Sequence, residues 1–138
     1  MSGAENFFDT NVVLYLLSGD TVKADRSEEL LAGGGTISVQ VLNEFAFVAS
    51  RKLHMSWPEI REALTQIRAV CPVTPLTIET HDRASQLAER YGLSIYDASI
   101  TTAALLAGCT TLYSEDMHNG QVIDRQLTIR NPFAVRRR

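Results

Sequence analysis

The sequence predicts an α/β domain in which a parallel sheet is covered by helices on both faces. Three observations carry this expectation. Short apolar runs that read as strands alternate with longer stretches of helical spacing along all 138 residues, the pattern of stacked strand–helix–strand units. Gly33-Gly34-Gly35, Pro72, Pro75, Gly92 and Gly108 punctuate that alternation without opening a linker, a repeat or a low-complexity segment. Acidic residues follow the apolar strands directly, at the carboxyl edge where such sheets bind ligands. With 45% hydrophobic and 21% charged residues, residues 1–138 can bury one core as a single domain without disulfides or a structural metal.

Phe7-Phe8 leads into Asp9 as a short buried strand that ends in a carboxylate. Val12 to Leu17 continues as a short helix, ended by Gly19. An Asp at such a junction is also an ordinary N-cap, its oxygen accepting the orphan N–H groups of the first turn. Thr21 is placed to cap a helix over 22–32, which Gly33-Gly34-Gly35 breaks. The glycine run follows a helix and lacks the Gly-Lys-Ser/Thr ending of a phosphate loop, so it reads as a turn. Thr36-Ile37-Ser38 is a second strand.

In the helix over 39–52, Val41, Leu42, Phe45, Val48 and Ala49 share one side. Glu44, three residues after Val41 and four before Val48, borders that stripe. A carboxylate there costs free energy unless it is paired or reaches water. Ser56-Trp57-Pro58-Glu59 is a capping box with an early proline and starts a helix to about Val70. Arg61 and Arg68 lie seven apart on its surface, either facing phosphates or simply solvated.

Pro72 and Pro75 bracket Val73-Thr74, a short strand. Thr77 caps a helix through Tyr91, stopped by Gly92. Ser94 opens the next helix, which Gly108 closes. Its residues are small or apolar nearly all round, as in a buried helix. Ser94-x-x-Asp97 is itself a capping box, with Asp97 at its third position. Cys109 to Tyr113 is a strand running into Ser114-Glu115-Asp116. His118-Asn119-Gly120 is a turn, and Leu127-Thr128-Ile129 is expected as a last edge strand before Asn131-Pro132-Phe133.

The formal net charge of −3 leans against a general nucleic-acid-binding surface. If four acids are neutralised at a metal, the remainder carries +1, with eleven Arg against two Lys, and Arg forks match phosphate oxygens. Arg136-Arg137-Arg138 forms a basic end. No apolar stretch approaches the roughly 20 residues of a membrane helix and no signal peptide is visible, so a cytoplasmic protein without a membrane partner is expected. Cys71 and Cys109 belong to no ligand pattern and read as small buried hydrophobes.

Each of Asp9, Glu44, Asp97 and Asp116 has a structural reading when taken singly. Gathered in one partly buried pocket, they would repel and hold on to protons unless a cation neutralised them. Hard oxygen donors without paired Cys or His suit Mg2+ or Mn2+, and a divalent ion on acids points to phosphodiester chemistry.

Asp9-Thr10-Asn11 after apolar residues, Asn43-Glu44-Phe45, Tyr96-Asp97-Ala98 and Leu112-Tyr113-Ser114-Glu115-Asp116-Met117 resemble the four acidic motifs of PIN domains, in order and over nearly the entire chain. The closest resemblance is to VapC-type toxin ribonucleases of toxin–antitoxin modules. That resemblance implies a five-stranded parallel sheet, a Mg2+- or Mn2+-dependent endoribonuclease, a homodimer, an RNA substrate and a cognate antitoxin. It makes Asp9, Asp97 and Asp116 the principal metal ligands. Glu44 completes the pocket, joining a second metal or helping to activate the attacking water. Thr10, Asn11 and Ser114 match the polar positions that support these carboxylates, and Arg61 and Arg68 are candidate RNA contacts. Many relatives carry a further acid after the last motif, where His118 and Asn119 stand here.

Two other readings compete. A non-catalytic PIN-fold module would bind RNA or a protein. Asp9-Thr10-Asn11-Val12-Val13 is also close to the nucleophile motif of haloacid-dehalogenase-like phosphatases, with Asp9 as nucleophile, but Asn11 replaces the second acid and no cap domain fits.

Overall fold

The computed structural model describes residues 5–134; the basic stretch Arg136-Arg137-Arg138 lies outside them. The order is β1 (Asn6–Phe8), α1 (Thr10–Leu14) with a 3-10 turn (Tyr15–Leu17), α2 (Thr21–Ala32), β2 (Ile37–Ser38), α3 (Val39–Arg51), α4 (Trp57–Val70), β3 (Val73–Thr74), α5 (Ile78–Tyr91), α6 (Ile95–Leu106), β4 (Thr111–Tyr113), β5 (Val122–Ile123) and β6 (Leu127–Arg130). The alternation read from the sequence is therefore that of a parallel-dominated α/β domain.

β1 pairs in parallel with β4, matching Phe7 to Leu112, and β4 pairs in parallel with β6. β5 adds to β6 antiparallel, so the sheet has four strands in the order β1-β4-β6-β5, while β2 and β3 form a separate parallel pair. The expected five-stranded parallel sheet is corrected on this point. One parallel bridge, Phe7 to Thr36, ties the β2–β3 pair to the free edge of β1. It is made by the amide of Phe8 on the Thr36 carbonyl at 3.0 Å and the amide of Thr36 on the Asn6 carbonyl at 2.9 Å. Strands of two and three residues leave room for a bridge there and no ladder.

Gly35 explains how closely those chains approach. A Cβ at this position would lie 2.5 Å from the Phe8 ring, and Phe8 is fully buried. Gly35→Ala is expected to cost about 1–3 kcal/mol by overpacking, read as a lower urea midpoint with an unchanged slope.

Leu127-Thr128-Ile129 is not an edge. β5 covers it, through a tight turn closed by the amide of Gln126 on the Ile123 carbonyl at 3.0 Å. The two central residues, Asp124 and Arg125, have φ of 49° and 57°, the left-handed values of a hairpin turn that usually advertises itself by Asn-Gly or Asp-Gly. Tertiary contacts supply what the local sequence lacks. The Asp124 carboxylate accepts from Arg90 at 2.9 Å, Tyr91 Oη at 3.1 Å and Arg83 at 3.4 Å, which anchors the hairpin to α5.

Helix starts follow side-chain capping. Asp20, one residue before the expected Thr21, caps α2 by accepting from the Lys23 amide. Ser56 and Glu59 complete their reciprocal box at α4, Thr77 caps α5, and Gly92 ends it at φ 67°. α6 is buried from Ala98 to Leu105. Phe7, Phe8, Phe45, Ile100, Leu112 and Ile129 fill the core, and Cys71 and Cys109 are buried within it.

Candidate active site

Asp9 stands where β1 ends and α1 begins. Its backbone amide still donates to the Tyr113 carbonyl of β4 at 2.9 Å, so the sheet itself fixes the carboxylate's root. The side chain is 4% exposed. Oδ1 accepts from the Thr10 amide at 2.7 Å, the expected N-cap, and Oδ2 accepts from the Ser114 hydroxyl at 2.6 Å. Capping consumes only one oxygen. The other faces the strand that carries the last acidic motif.

Burial pushes the Asp9 carboxyl up to about 7, against the lowering effect of the Ser114 and Thr10 hydrogen bonds, and the negative charges of Asp97 and Glu44 raise it further. Ser114→Ala removes the strongest opposing bond. The Asp9 carboxyl is then expected to titrate above its present value, measurable by carbon NMR of its side chain, and an unchanged midpoint would contradict the assigned contact.

Glu44 sits half-buried on α3, whose first turn is capped by Ser38. The cost foreseen for a carboxylate beside an apolar stripe is offset by two donors, Thr10 Oγ1 to Oε1 at 3.2 Å and Gln40 Nε2 to Oε2 at 2.8 Å. Gln40 belongs to no motif, although its position four residues before Glu44 is the spacing at which helix side chains meet. Thr10 thus touches two acids, Asp9 through its amide and Glu44 through its hydroxyl.

Asp97 lies in the first turn of α6. Ser94 accepts from its amide at 3.0 Å, the forward half of the box foreseen, and no hydrogen bond is recorded for its carboxylate among the described residues. That carboxyl is raised by partial burial and by the charges of Glu44 and Asp116. Asp116, beyond β4, is exposed. Ser114 Oγ accepts from the Met117 amide at 3.2 Å, so one hydroxyl links Asp9 to the turn that bears Asp116.

The four acids therefore share one electrostatic neighbourhood at the carboxyl edge of β1 and β4. They do not close into a finished coordination shell: among the described residues, no three His, Cys, Asp or Glu side chains stand ready to ligate a metal. Mutual repulsion of unneutralised carboxylates opposes such closure. The donor set fits a hard divalent cation on chemistry, being all oxygen, and on two further observations. Asp9 retains its proton to about pH 7 in the absence of positive charge. Two residues on, both side-chain amide atoms of Asn11 are buried without a hydrogen-bond partner among the described residues, which is costly for a polar group with nothing to bind.

An open groove lies against two of the acids, lined by Gln40, Glu44, Phe47, Ser94, Tyr96 and Asp97. Phe47 and Tyr96 are 59% and 63% exposed. Arg61 and Arg68 are exposed on α4, and no ion pair among the described residues joins them to the four acids.

A family model for the PIN domain matches residues 7–119, a span holding all four acids. No curated protein sequence matches the chain. Among solved structures, the fold is similar to that of a toxin-antitoxin complex from Klebsiella pneumoniae, with 20% identity and a TM-score of 0.71 over 94% of this chain and 99% of that one. It is similar to VapC20 of Mycobacterium tuberculosis, a sarcin-ricin loop cleaving toxin, with 19% identity and a TM-score of 0.66 over 80% and 89% of the two chains. FitAcB from Neisseria gonorrhoeae gives 15% identity and a TM-score of 0.65 over 94% and 99%. At these identities the likeness establishes the fold, and with the family match spanning most of its length the chain belongs to the PIN domain family.

Proposed function

We propose that this protein is a metal-dependent endoribonuclease acting as the toxin of a toxin–antitoxin module. The observation that carries the reading is Asp9, buried and gripped by Ser114, with Glu44, Asp97 and Asp116 in the same electrostatic neighbourhood. A PIN-family chain with all four acids in place is set apart from a haloacid-dehalogenase-like phosphatase. The neighbours' names favour the toxin reading, since they include a toxin-antitoxin complex and a sarcin-ricin loop cleaving toxin.

Asp9, Asp97 and Asp116 would hold Mg2+ or Mn2+, with Glu44 completing the pocket. When bound, such an ion supplies positive charge to a phosphodiester oxygen and acidifies a water. The chain's own groups do the rest. Ser114 and the Thr10 amide aim the Asp9 oxygens. Thr10 and Gln40 hold the Glu44 carboxylate, and each of its oxygens keeps a further lone pair, from which it can accept a proton from the attacking water. Asp9 gives up its proton on meeting positive charge.

RNA lies along the groove with unpaired bases against Phe47 and Tyr96, whose exposed rings suit stacking. Arg61 and Arg68 remain candidate phosphate contacts further out. The antitoxin occupies the same groove and presents an Arg to Asp9 or Asp97. A second copy of the chain covers the exposed Leu76, Ile78 and Ile95 in a homodimer. No helix among the described residues is long and apolar enough to cross a membrane, in keeping with a cytoplasmic nuclease.

The test is cleavage of a panel of transfer, ribosomal and messenger RNAs by wild type and Asp9→Asn with Mg2+. Cleavage by wild type alone is expected. Equal cleavage by both, or none by either, would sink the nuclease reading, and the second outcome would favour the non-catalytic binding module.

A further inference from the structure

We propose that Lys23 is a positioning residue for Asp116, acting through Glu115. The inference rests on the metal-dependent reading of the acidic pocket, and concerns side chains outside the four acids.

The Lys23 ammonium lies 2.7 Å from Glu115 Oε2 and 3.0 Å from Tyr15 Oη. It also stands 4.5 Å above the Tyr15 ring, within the range of a cation–π contact. Tyr15 donates its hydroxyl to the other oxygen of Glu115, so both carboxylate oxygens are taken. Phe133 meets the Tyr15 ring edge-on at 4.9 Å between centroids, and Arg26 Nε donates to the Pro132 carbonyl at 3.1 Å. The 3-10 turn after α1, the helix α2, the turn after β4 and the C-terminal segment thus converge on one ammonium group. Neither partner is fully solvated, the Lys23 and Glu115 side chains being 32% and 24% exposed.

Glu115 is the middle residue of Ser114-Glu115-Asp116. Ser114 is held from inside by Asp9, and Glu115 is held from outside by Lys23 and Tyr15. Asp116 follows two residues whose side chains are fixed in different directions, which leaves its backbone little freedom. Lys23 has a second effect. Glu115 would otherwise be a fifth carboxylate next to a cluster already burdened with like charge, and pairing with an ammonium holds it to the Tyr15 side. Removing a contact made directly to a metal ligand changes affinity by about 10–100-fold; Lys23 acts one residue further out, so the low end of that range is expected.

The test measures Mn2+ uptake by the intact chain, from the electron paramagnetic resonance signal of free Mn2+, for wild type, Lys23→Met, Lys23→Arg and the double variant Lys23→Met with Glu115→Gln. Lys23→Met is expected to weaken Mn2+ binding about tenfold, and Lys23→Arg to bind within about threefold of wild type, a rescue that loss of packing alone would not give. If Lys23→Met fails to fold, the double variant carries the test: it lacks the unpaired carboxylate and is expected to fold while binding Mn2+ more weakly than wild type. Wild type and Lys23→Met with equal affinity, or wild type and a folded double variant with equal affinity, overturn this inference alone. Absence of Mn2+ uptake by wild type overturns the metal-dependent reading and this inference with it.

Discussion

Asp9→Asn is expected to lower RNA cleavage by about 100-fold or more while stabilising the metal-free fold at alkaline pH. On the proposed function, the first effect follows from loss of the negative charge that Asp9 would present to the ion. The second follows from linkage. The Asp9 carboxyl is raised from 3.8 to about 7 in the folded chain, first by burial. Between those values the folded state holds a proton that the unfolded state has released, so stability falls as pH rises toward about 7. Asn retains the N-cap geometry and carries no charge to desolvate. Urea melts at pH 5 and pH 8 in chelator should show wild type losing on the order of a few kcal/mol that Asp9→Asn keeps. Parallel losses in the two proteins would remove Asp9 as the source.

The second large effect is stabilisation by the ion itself. Binding to the folded chain alone adds about 2.7 kcal/mol when the free ion stands at 100 times its dissociation constant. Mg2+ or Mn2+ at pH 8 is therefore expected to raise the melting temperature of wild type by several degrees and to flatten its dependence on pH. Asp97→Asn should reduce the shift, since Asp97 is the acid whose carboxylate has no recorded hydrogen bond among the described residues. The same rise in both proteins would place the binding elsewhere.

Much of this site was legible in the sequence because its parts are local. A carboxylate directly after Phe7-Phe8 marks the end of a strand, and another beside Val41 and Val48 marks the rim of a helix stripe. Capping patterns place Asp97 in a first turn. What joins these parts is tertiary and carries no local signature. Ser114 meets Asp9 only because β4 pairs with β1, and Thr10 reaches Glu44 only where α1 packs on α3. Gln40 was within reach of pattern reasoning through its spacing from Glu44, whereas the Lys23–Glu115–Tyr15 network joins residues 92 and 100 positions apart.

The sheet is less legible in the sequence for a related reason. β5 consists of Val122-Ile123, too short to show alternation, and its turn at Asp124-Arg125 owes its left-handed backbone to Arg83, Arg90 and Tyr91 instead of to glycine. Leu127-Thr128-Ile129 consequently read as an edge although it is a central strand. The separation of β2–β3 from the main sheet depends on where Gly35 lets the chain pass over Phe8, a matter of close approach that no periodicity reports.

The most direct measurement of the central claim is the appearance of new RNA ends when purified wild-type protein, first stripped with chelator, is incubated with a single-stranded RNA and then supplied with Mg2+. The four-acid pocket requires no cleavage in chelator, onset on addition of Mg2+, and loss of that onset in Asp97→Asn. Cleavage that persists in chelator, or that Asp97→Asn performs as well as wild type, would contradict it.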